Sequence, residues 1–313
     1  MLPPAPARGI VVHMAHHHHH HSAGDRSYAF AIGALLNGGF VAAEVAFGLA
    51  ANSMALLADA AHNFGDVLGL LLGWGAAWLI RRPPTPRRTY GWGRFSIFAA
   101  LLNAMLLLIS VGAIGVEALR RLASPEPVNE TTVMLVALAG IAINGVTALM
   151  FLRDRHHDLN IRAQFVHMAG DAGVSAGVVI AGLAIRLTAW QWLDPLTSLA
   201  IALLIVITTW GLLRESLDLA MDAVPDAIAH DDVEAWLASL PGVTEVHDLH
   251  IWGLSTTETA LTAHLVCAQD AEKHQLHDLT HALRDRFGIG HATLQIETVA
   301  DAELCRLRPS HVV

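Results

Sequence analysis

Two apolar stretches of the sequence each carry a histidine followed four residues later by an aspartate. The first pair is His62 and Asp66, and the second is His167 and Asp171. On a helix this spacing places both side chains on one face, one above the other. Two such helices facing each other would supply two imidazole nitrogens and two carboxylate oxygens, a ligand set that suits four-coordinate zinc. The spacing therefore predicts a divalent-metal site between two helices.

The charges of these side chains also suit a divalent cation in apolar surroundings. Two carboxylates neutralise one divalent ion, whereas two empty, ionised aspartates repel each other. Protonation of a ligand relieves that repulsion, and metal binding must then release protons. Metal and protons are therefore expected to compete for one site, which is what exchange of the two across a membrane requires.

A purely structural role is the alternative interpretation of polar residues in apolar helices. A single histidine there would favour a bond to a neighbouring helix or a position facing a cavity, but two identical pairs favour a metal site. Two roles stay open for Asp59, one turn before His62: support of a ligand or handling of protons, and a simple hydrogen bond to another helix. Glu44 and Asn144 are assigned to bonds between helices or to the interfaces.

The segments that carry these residues are predicted to cross a membrane. The chain of 313 residues is 54% hydrophobic and only 15% charged, which is too apolar for a soluble globular protein of this length. Six apolar segments are each long enough to cross about 30 Å of hydrocarbon at about 1.5 Å per residue. They cover residues 28–49, 54–80, 95–119, 131–152, 163–187 and 193–213. We predict an α-helical membrane protein with six transmembrane helices, in a domain of residues 28–215.

Arginines indicate how these helices lie in the bilayer. One end of the segments is flanked by Arg26, Arg81, Arg82, Arg87, Arg88, Arg153, Arg155 and Arg162, and the other by Arg120, Arg121 and Arg186. By the positive-inside rule, both termini are expected in the cytoplasm. The lipid bilayer is thus one expected partner, and a bacterial inner (plasma) membrane is the expected location.

The sequence after residue 220 has the pattern of a soluble domain. A helix that Pro241-Gly242 ends is followed by strand-like runs at 243–252 and 259–266, a helix at 271–287 and a strand at 291–298. This αββαβ order predicts a small α+β ferredoxin-like cytoplasmic domain over residues 220–300, followed by a C-terminal tail at 301–313. A domain of this size is marginally stable alone, so dimerisation would help it.

Composition excludes several other classes of protein. The net charge is −9 and Lys273 is the only lysine, so nucleic acid is not an expected partner. Cys267 and Cys305 are the only cysteines, which excludes a disulfide framework and a four-cysteine zinc cluster, so that metal chemistry is expected to use His, Asp and Glu. The N-terminal tail, residues 1–27, contains a histidine run at 16–21 that is either a purification tag or a natural metal-catching segment.

These motifs together resemble the cation diffusion facilitator family, in its zinc-type branch of bacterial cobalt-zinc-cadmium efflux proteins and animal zinc transporters. The matching segments are residues 53–62, 88–92, 165–171, 194–195 and 246–252. The resemblance implies a homodimer with six helices per subunit, a cytoplasmic metal-binding domain and proton-coupled export of zinc. The family's transport-site ligands fall on His62, Asp66, His167 and Asp171, and histidine at position 62 is similar to the zinc-selective pattern.

The same resemblance implies a second metal site in the cytoplasmic domain. Its ligands fall on or near His247, His264 and Glu297, with His291 as the candidate fourth, and Gln295 stands where certain relatives have histidine. Zinc is thus expected both as the transported substrate and as a regulatory ion. The alternative is an unoccupied group of histidines, which are common on small domains. Two family features are reduced or missing: the histidine-rich loop is only residues 156–158, and a C-terminal cysteine pair is replaced by Cys305 alone.

These residues are compatible with three functions. The leading one is a secondary transporter that works by alternating access. A membrane-tethered metal sensor, in which nothing crosses, is the first alternative. An intramembrane metallohydrolase is the second, but the chain has no HExxH motif, and four protein ligands leave no open position for an activated water. We therefore expect no enzyme. Imidazole and carboxylate also bind cadmium, cobalt and nickel, so these stay open as substrates beside zinc.

Overall fold

Six long helices form the first part of the chain. The computed structural model describes residues 23–151, 159–268 and 273–308. The histidine run at 16–21 and the short acidic-histidine loop at 156–158 lie outside these ranges, as does the end of the predicted tail. The helices are α1 (Ala23–Ala50), α2 (Met54–Ile80), α3 (Phe95–Ala123), α4 (Glu130–Phe151), α5 (Leu159–Thr188) and α6 (Leu193–Ala220).

These helices have the length and the apolar composition of membrane-spanning segments. Among the described residues, α2 to α6 each contain a stretch long and apolar enough to cross a membrane, and α1 has a shorter apolar stretch, Asn37–Ala50. Large apolar side chains are exposed on several helices, including Trp74, Leu135 and Ile180, as expected of surfaces that face lipid. The predicted six-helix membrane protein is confirmed.

The start of α2 is capped by a side chain from α6. Asp194 accepts hydrogen bonds from the Ser53 hydroxyl and from the backbone N–H groups of Met54 and Ala55, the latter two at 2.6 and 3.4 Å. The first N–H groups of a helix have no partner within the helix, and a carboxylate there also interacts favourably with the helix dipole. Asp194 thereby fixes where α2 begins, and with it the height of the polar residues two turns further on.

The C-terminal part is a small α+β domain. Its elements are α7 (His230–Ala238), β1 (Val243–Gly253), β2 (Thr259–Cys267), α8 (Lys273–Phe287), β3 (Ile289–Glu297) and α9 (Val299–Leu304). The sheet order is β1-β2-β3, with β1 antiparallel and β3 parallel to β2. Its core includes the fully buried side chains of Val233, Leu237, Leu261, Leu265, Leu283 and Ile289. The predicted αββαβ order is confirmed.

A short helix, α9, lies near the end of the chain, and the tail predicted from residue 301 begins inside this helix. Thr298 caps α9 by accepting a hydrogen bond from the Asp301 N–H, and the Asp301 carboxylate accepts one from the Thr298 N–H. The hydrogen bonds from Thr298 lower the pKa of Asp301. This reciprocal capping box is a local signal for a helix start, and it directs the following residues back along the sheet.

The connection between α2 and α3 groups with the C-terminal domain. Residues 79–98 and 215–308 belong to one compact unit, and residues 30–78 and 99–214 to another. Within the first unit, the Arg94 guanidinium pairs with the Asp222 carboxylate, and the Ser96 hydroxyl accepts a hydrogen bond from the Thr256 N–H at 3.1 Å. The domain boundary predicted from sequence alone, between 215 and 220, does not include this connection.

Candidate metal centres

The four residues of the two His-Asp pairs lie together, on α2 and α5. His62 Nε2 is 3.1 Å from Asp171 Oδ1, and His167 Nε2 is 3.5 Å from Asp66 Oδ2. His167 Nε2 also lies 3.8 Å from Asp171 Oδ2. Each histidine therefore contacts the aspartate of the other helix, and Asp171 contacts both histidines.

The donor atoms are close enough for one cation to contact several of them. One ligand atom each from His62, Asp66 and Asp171 lies within 4.8 Å of the others, and the His62 and His167 ring centroids are 6.3 Å apart. The Asp171 side chain is 5% exposed, whereas His62, Asp66 and His167 are 20%, 32% and 38% exposed. The His62 imidazole and two carboxylates are thus close enough to bind one divalent ion, and the His167 imidazole contacts both of these carboxylates.

A second layer of buried polar residues lies one turn along α2. The Asp59 carboxylate is fully buried and accepts a hydrogen bond from the Ser175 hydroxyl on α5 at 2.9 Å. Asn63 donates its amide to the Glu44 carboxylate on α1 at 2.8 Å. A bond between helices, one of the roles left open for Asp59, is therefore present. It shows how α1, α2 and α5 are held together at this level.

The C-terminal domain holds a separate cluster of four potential ligands. Glu297 Oε1 is 3.0 Å from His264 Nδ1, and Glu297 Oε2 is 3.3 Å from His247 Nε2. Cys305 Sγ is 3.6 Å from His264 Nδ1. One ligand atom from each of these four residues lies within 4.8 Å of all the others.

Strand register explains why three of these residues meet. His247 on β1 lies directly opposite His264 on β2, and Glu297 pairs with Val266 two residues further along β2. Directly opposed residues on neighbouring strands have side chains within contact distance. Gln295, next to His264 on β3, donates its amide to Glu297 Oε1 at 2.8 Å and so holds one carboxylate oxygen of the cluster.

Cys305 was missed from the sequence, where metal chemistry was assigned to His, Asp and Glu alone. The residue follows α9, and the chain beyond it is held against β1 because Arg308 donates to both Glu245 oxygens, at 2.9 and 2.7 Å. The Arg308 guanidinium lowers the pKa of Glu245. A thiol is a preferred zinc ligand, and a capping signal shortly before a cysteine near a predicted ligand strand could have pointed to it.

His291, predicted as the candidate fourth ligand, is not among the four residues whose ligand atoms lie together. Its ring lies edge-on against Tyr90, with 5.5 Å between ring centroids. Although His291 and Glu297 are separated by an even number of residues and share a face of β3, six residues of strand span about 20 Å. The length of the strand therefore separates His291 from Glu297, although the two residues share a face.

The donor atoms of the domain cluster fit a zinc ion. Both ring nitrogens of His247 and Oε2 of Glu297 are buried without a hydrogen-bond partner, and buried polar atoms are normally satisfied. Two imidazoles, one carboxylate and one thiol are also the donor types that zinc takes in four-coordinate structural sites. A bound ion could satisfy Glu297 Oε2 and one of the two ring nitrogens of His247.

Comparison with known families decides the identity of the chain. Residues 30–219 match the cation efflux transmembrane domain, and residues 225–299 match the cytoplasmic domain of cation efflux proteins. The chain belongs to the cation diffusion facilitator family, in its zinc-type branch. Members of this family are metal transporters, and the match extends over both parts of the chain.

Curated relatives of this family member include three bacterial proteins. The metal cation efflux system protein CzcD of Cupriavidus metallidurans is 36% identical over 84% of this chain and 84% of its own length. The zinc transporter ZitB of Escherichia coli is 34% identical over 86% of both chains. The cadmium, cobalt and zinc/H(+)-K(+) antiporter of Bacillus subtilis is 31% identical over 86% of this chain and 89% of its own.

Proposed function

We propose that this family member exports zinc from the cytoplasm in exchange for protons, with cadmium, cobalt and nickel as further candidate substrates. The observation that carries the proposal is the crossed pairing of His62 with Asp171 and of His167 with Asp66 inside spanning helices. The names of the relatives support it, since one is a zinc transporter and another an antiporter of divalent metals and H(+).

Charge balance explains how such a site exchanges its two substrates. When both histidines are protonated beside two ionised aspartates, the four side chains have no net charge. When zinc is bound, the histidines must be neutral to offer a lone pair, and the ion cancels the two carboxylates. Both states are neutral, so each is tolerated in the low-dielectric interior of a membrane. A state with neither substrate would leave two negative charges in that interior.

The site ligands lie on two helices, which suits alternating access. Rigid-body motion of one set of helices against another can expose a fixed site first to one side and then to the other. In our proposal zinc enters from the cytoplasm, displaces protons from His62 and His167, and leaves on the opposite side as protons return. We propose that both termini lie in the cytoplasm and that the membrane is the bacterial inner membrane.

The C-terminal domain is proposed to bind zinc as a regulatory ion and to form a homodimer. His247, His264, Glu297 and Cys305 would hold the ion, whose positive charge offsets the buried carboxylate and the thiolate. The match of this region to the family named for zinc-transporter dimerisation supports an assembly of two subunits. Metal held there would act on assembly because binding energy that exists only in the folded state stabilises that state.

Transport into inverted membrane vesicles tests the proposal directly. Radioactive zinc should accumulate in the vesicles when their interior is acidic, and accumulation should stop when the pH gradient is collapsed. The Asp171→Asn variant should show neither result, whereas Asp226→Asn, which removes an exposed carboxylate outside the six helices, should transport like the wild type. A protein that binds zinc but accumulates none would be a membrane-tethered sensor, and the proposed export would be wrong.

A further inference from the structure

Glu44 is a buried carboxyl group that the proposed zinc site does not use. Its side chain lies on α1 and is 0% exposed. Oε2 accepts one hydrogen bond, from the Asn63 amide at 2.8 Å. Oε1 is buried without a partner.

The charges around Glu44 are unfavourable to its ionised form. The groups that interact with it electrostatically are Asp59 and His62 on α2 and Asp171 on α5. Two of these are carboxyl groups, and only His62 can carry a positive charge. An ionised carboxylate in a membrane interior is stable only when it is paired or well solvated, and a single amide donor provides neither. A proton on Glu44 removes this difficulty.

A zinc ion at the proposed site would reverse this balance. Asn63, which holds Glu44, directly follows His62 in the chain, so Glu44 lies next to the layer that contains the metal ligands. A divalent cation bound by His62 and Asp171 carries two positive charges where a protonated His62 carries one. The charge beside Glu44 is then more positive, which favours the carboxylate over the carboxylic acid.

We infer that Glu44 is a proton-binding site, separate from the zinc ligands, that loses its proton when zinc binds and regains it when zinc leaves. The inference rests on the proposed function and adds one carrier to it. Zinc and this proton would oppose each other through charge without sharing a ligand atom, and linkage requires the opposition to be reciprocal. A proton at Glu44 would therefore also promote the release of zinc.

Proton release on zinc binding measures this coupling. The full-length protein in detergent is placed in weak buffer with a pH indicator, zinc chloride is added, and protons released are divided by zinc bound from equilibrium dialysis. Glu44→Gln keeps the shape and an acceptor for Asn63 but cannot release a proton, so it should release about one proton fewer per zinc than the wild type. Glu44→Asp keeps a titrating carboxyl group and should release the wild-type number. Glu117→Gln, a change in an exposed ion pair with Arg120 and Arg121, is the matched control.

Infrared difference spectroscopy of the wild type gives a second result that does not depend on how the variants fold. Addition of zinc should remove the C=O stretch of a protonated carboxyl group, and this band should shift when glutamate side chains carry ¹³C. Equal proton release by Glu44→Gln and the wild type would overturn the inference, as would a lost band that ¹³C-glutamate leaves in place. If the wild type itself released no protons, the proposed zinc-proton exchange would be wrong instead.

Discussion

Replacement of Asp171 by asparagine is the most direct perturbation of the proposed transport site. Asp171 is the most buried of the four ligands, and its two oxygens lie 3.1 Å from His62 Nε2 and 3.8 Å from His167 Nε2. Asparagine has the same shape and retains one oxygen, so the packing of α5 is preserved. The substitution removes one negative charge. The site of the variant with zinc bound would therefore have a net positive charge inside the membrane.

The size of the effect follows from Coulomb's law. Two unit charges about 4 Å apart attract each other by about 4 kcal/mol at an effective dielectric constant of about 20. A divalent ion doubles this attraction, and the cost of taking the carboxylate out of water offsets part of it. We therefore expect Asp171→Asn to weaken zinc binding by at least about 4 kcal/mol, or about a thousandfold.

The same electrostatic reasoning predicts that zinc binding depends less on Asp66 than on Asp171. Asp66 pairs with His167 at 3.5 Å, and its side chain is 32% exposed, so water can screen its charge and replace its oxygen. Asp66→Asn should therefore reduce the binding free energy of zinc by an amount between about 1 kcal/mol, the value for a pair in bulk water, and about 4 kcal/mol, the value for a buried pair. Zinc competition with a chromophoric chelator, performed on each variant and on the Asp226→Asn control, measures both values. A loss for Asp171→Asn of less than tenfold, or one smaller than that of Asp66→Asn, would refute the charge argument.

Three further changes test other parts of the structure. His62→Asp replaces a neutral nitrogen by a charged oxygen and should shift transport from zinc toward cadmium or harder cations, measured as a ratio of uptake rates. Asp194→Ala leaves the first N–H groups of α2 without partners and should lower thermal stability by about 1–3 kcal/mol, with Asp194→Asn intermediate. Arg308→Gln removes the ion pair that lowers the pKa of Glu245. A lowered pKa contributes its full stabilisation above the usual value of 4.5 and loses it as the pH falls through the lowered pKa. The difference in melting temperature from the wild type should therefore disappear below that lowered pKa.

The membrane part was largely predictable because its signals are local. Helix lengths, arginine-rich ends and the His-Asp spacing are properties of single segments, and α2 matches its predicted bounds of 54–80 at both ends. The crossed pairing was not predictable, because which histidine meets which aspartate depends on the rotation of α2 against α5. That rotation is set by contacts far apart in sequence, such as Ser175 with Asp59 and Asp194 with the start of α2.

The ligand cluster of the C-terminal domain was only partly predictable from the sequence. His247, His264 and Glu297 meet as the family resemblance implies, whereas His291 lies outside their cluster and Cys305, which was missed, lies within it. The two differences have one cause. A strand separates residues of one face by a fixed rise, whereas a turn or a capped helix can return a distant residue to the same place. Cys305 returns because α9 starts at Thr298 and Arg308 binds Glu245. The capping signal at Thr298 is present in the sequence, but the ion pair with Glu245 was visible only in three dimensions.

The different ligand sets of the two clusters argue for different tasks. A transported ion must bind well enough to enter and weakly enough to leave. Imidazole and carboxylate donors with side chains 20–38% exposed, as on His62, Asp66 and His167, meet that condition because water and protons can reach and replace them. The domain cluster adds a thiol, and its His247, His264 and Glu297 side chains are only 5%, 13% and 5% exposed. Thiolate is a softer and stronger zinc ligand, and burial slows exchange with water. An ion held there is suited to remain while cargo passes, so removing it should change the rate of transport and leave its coupling to protons intact.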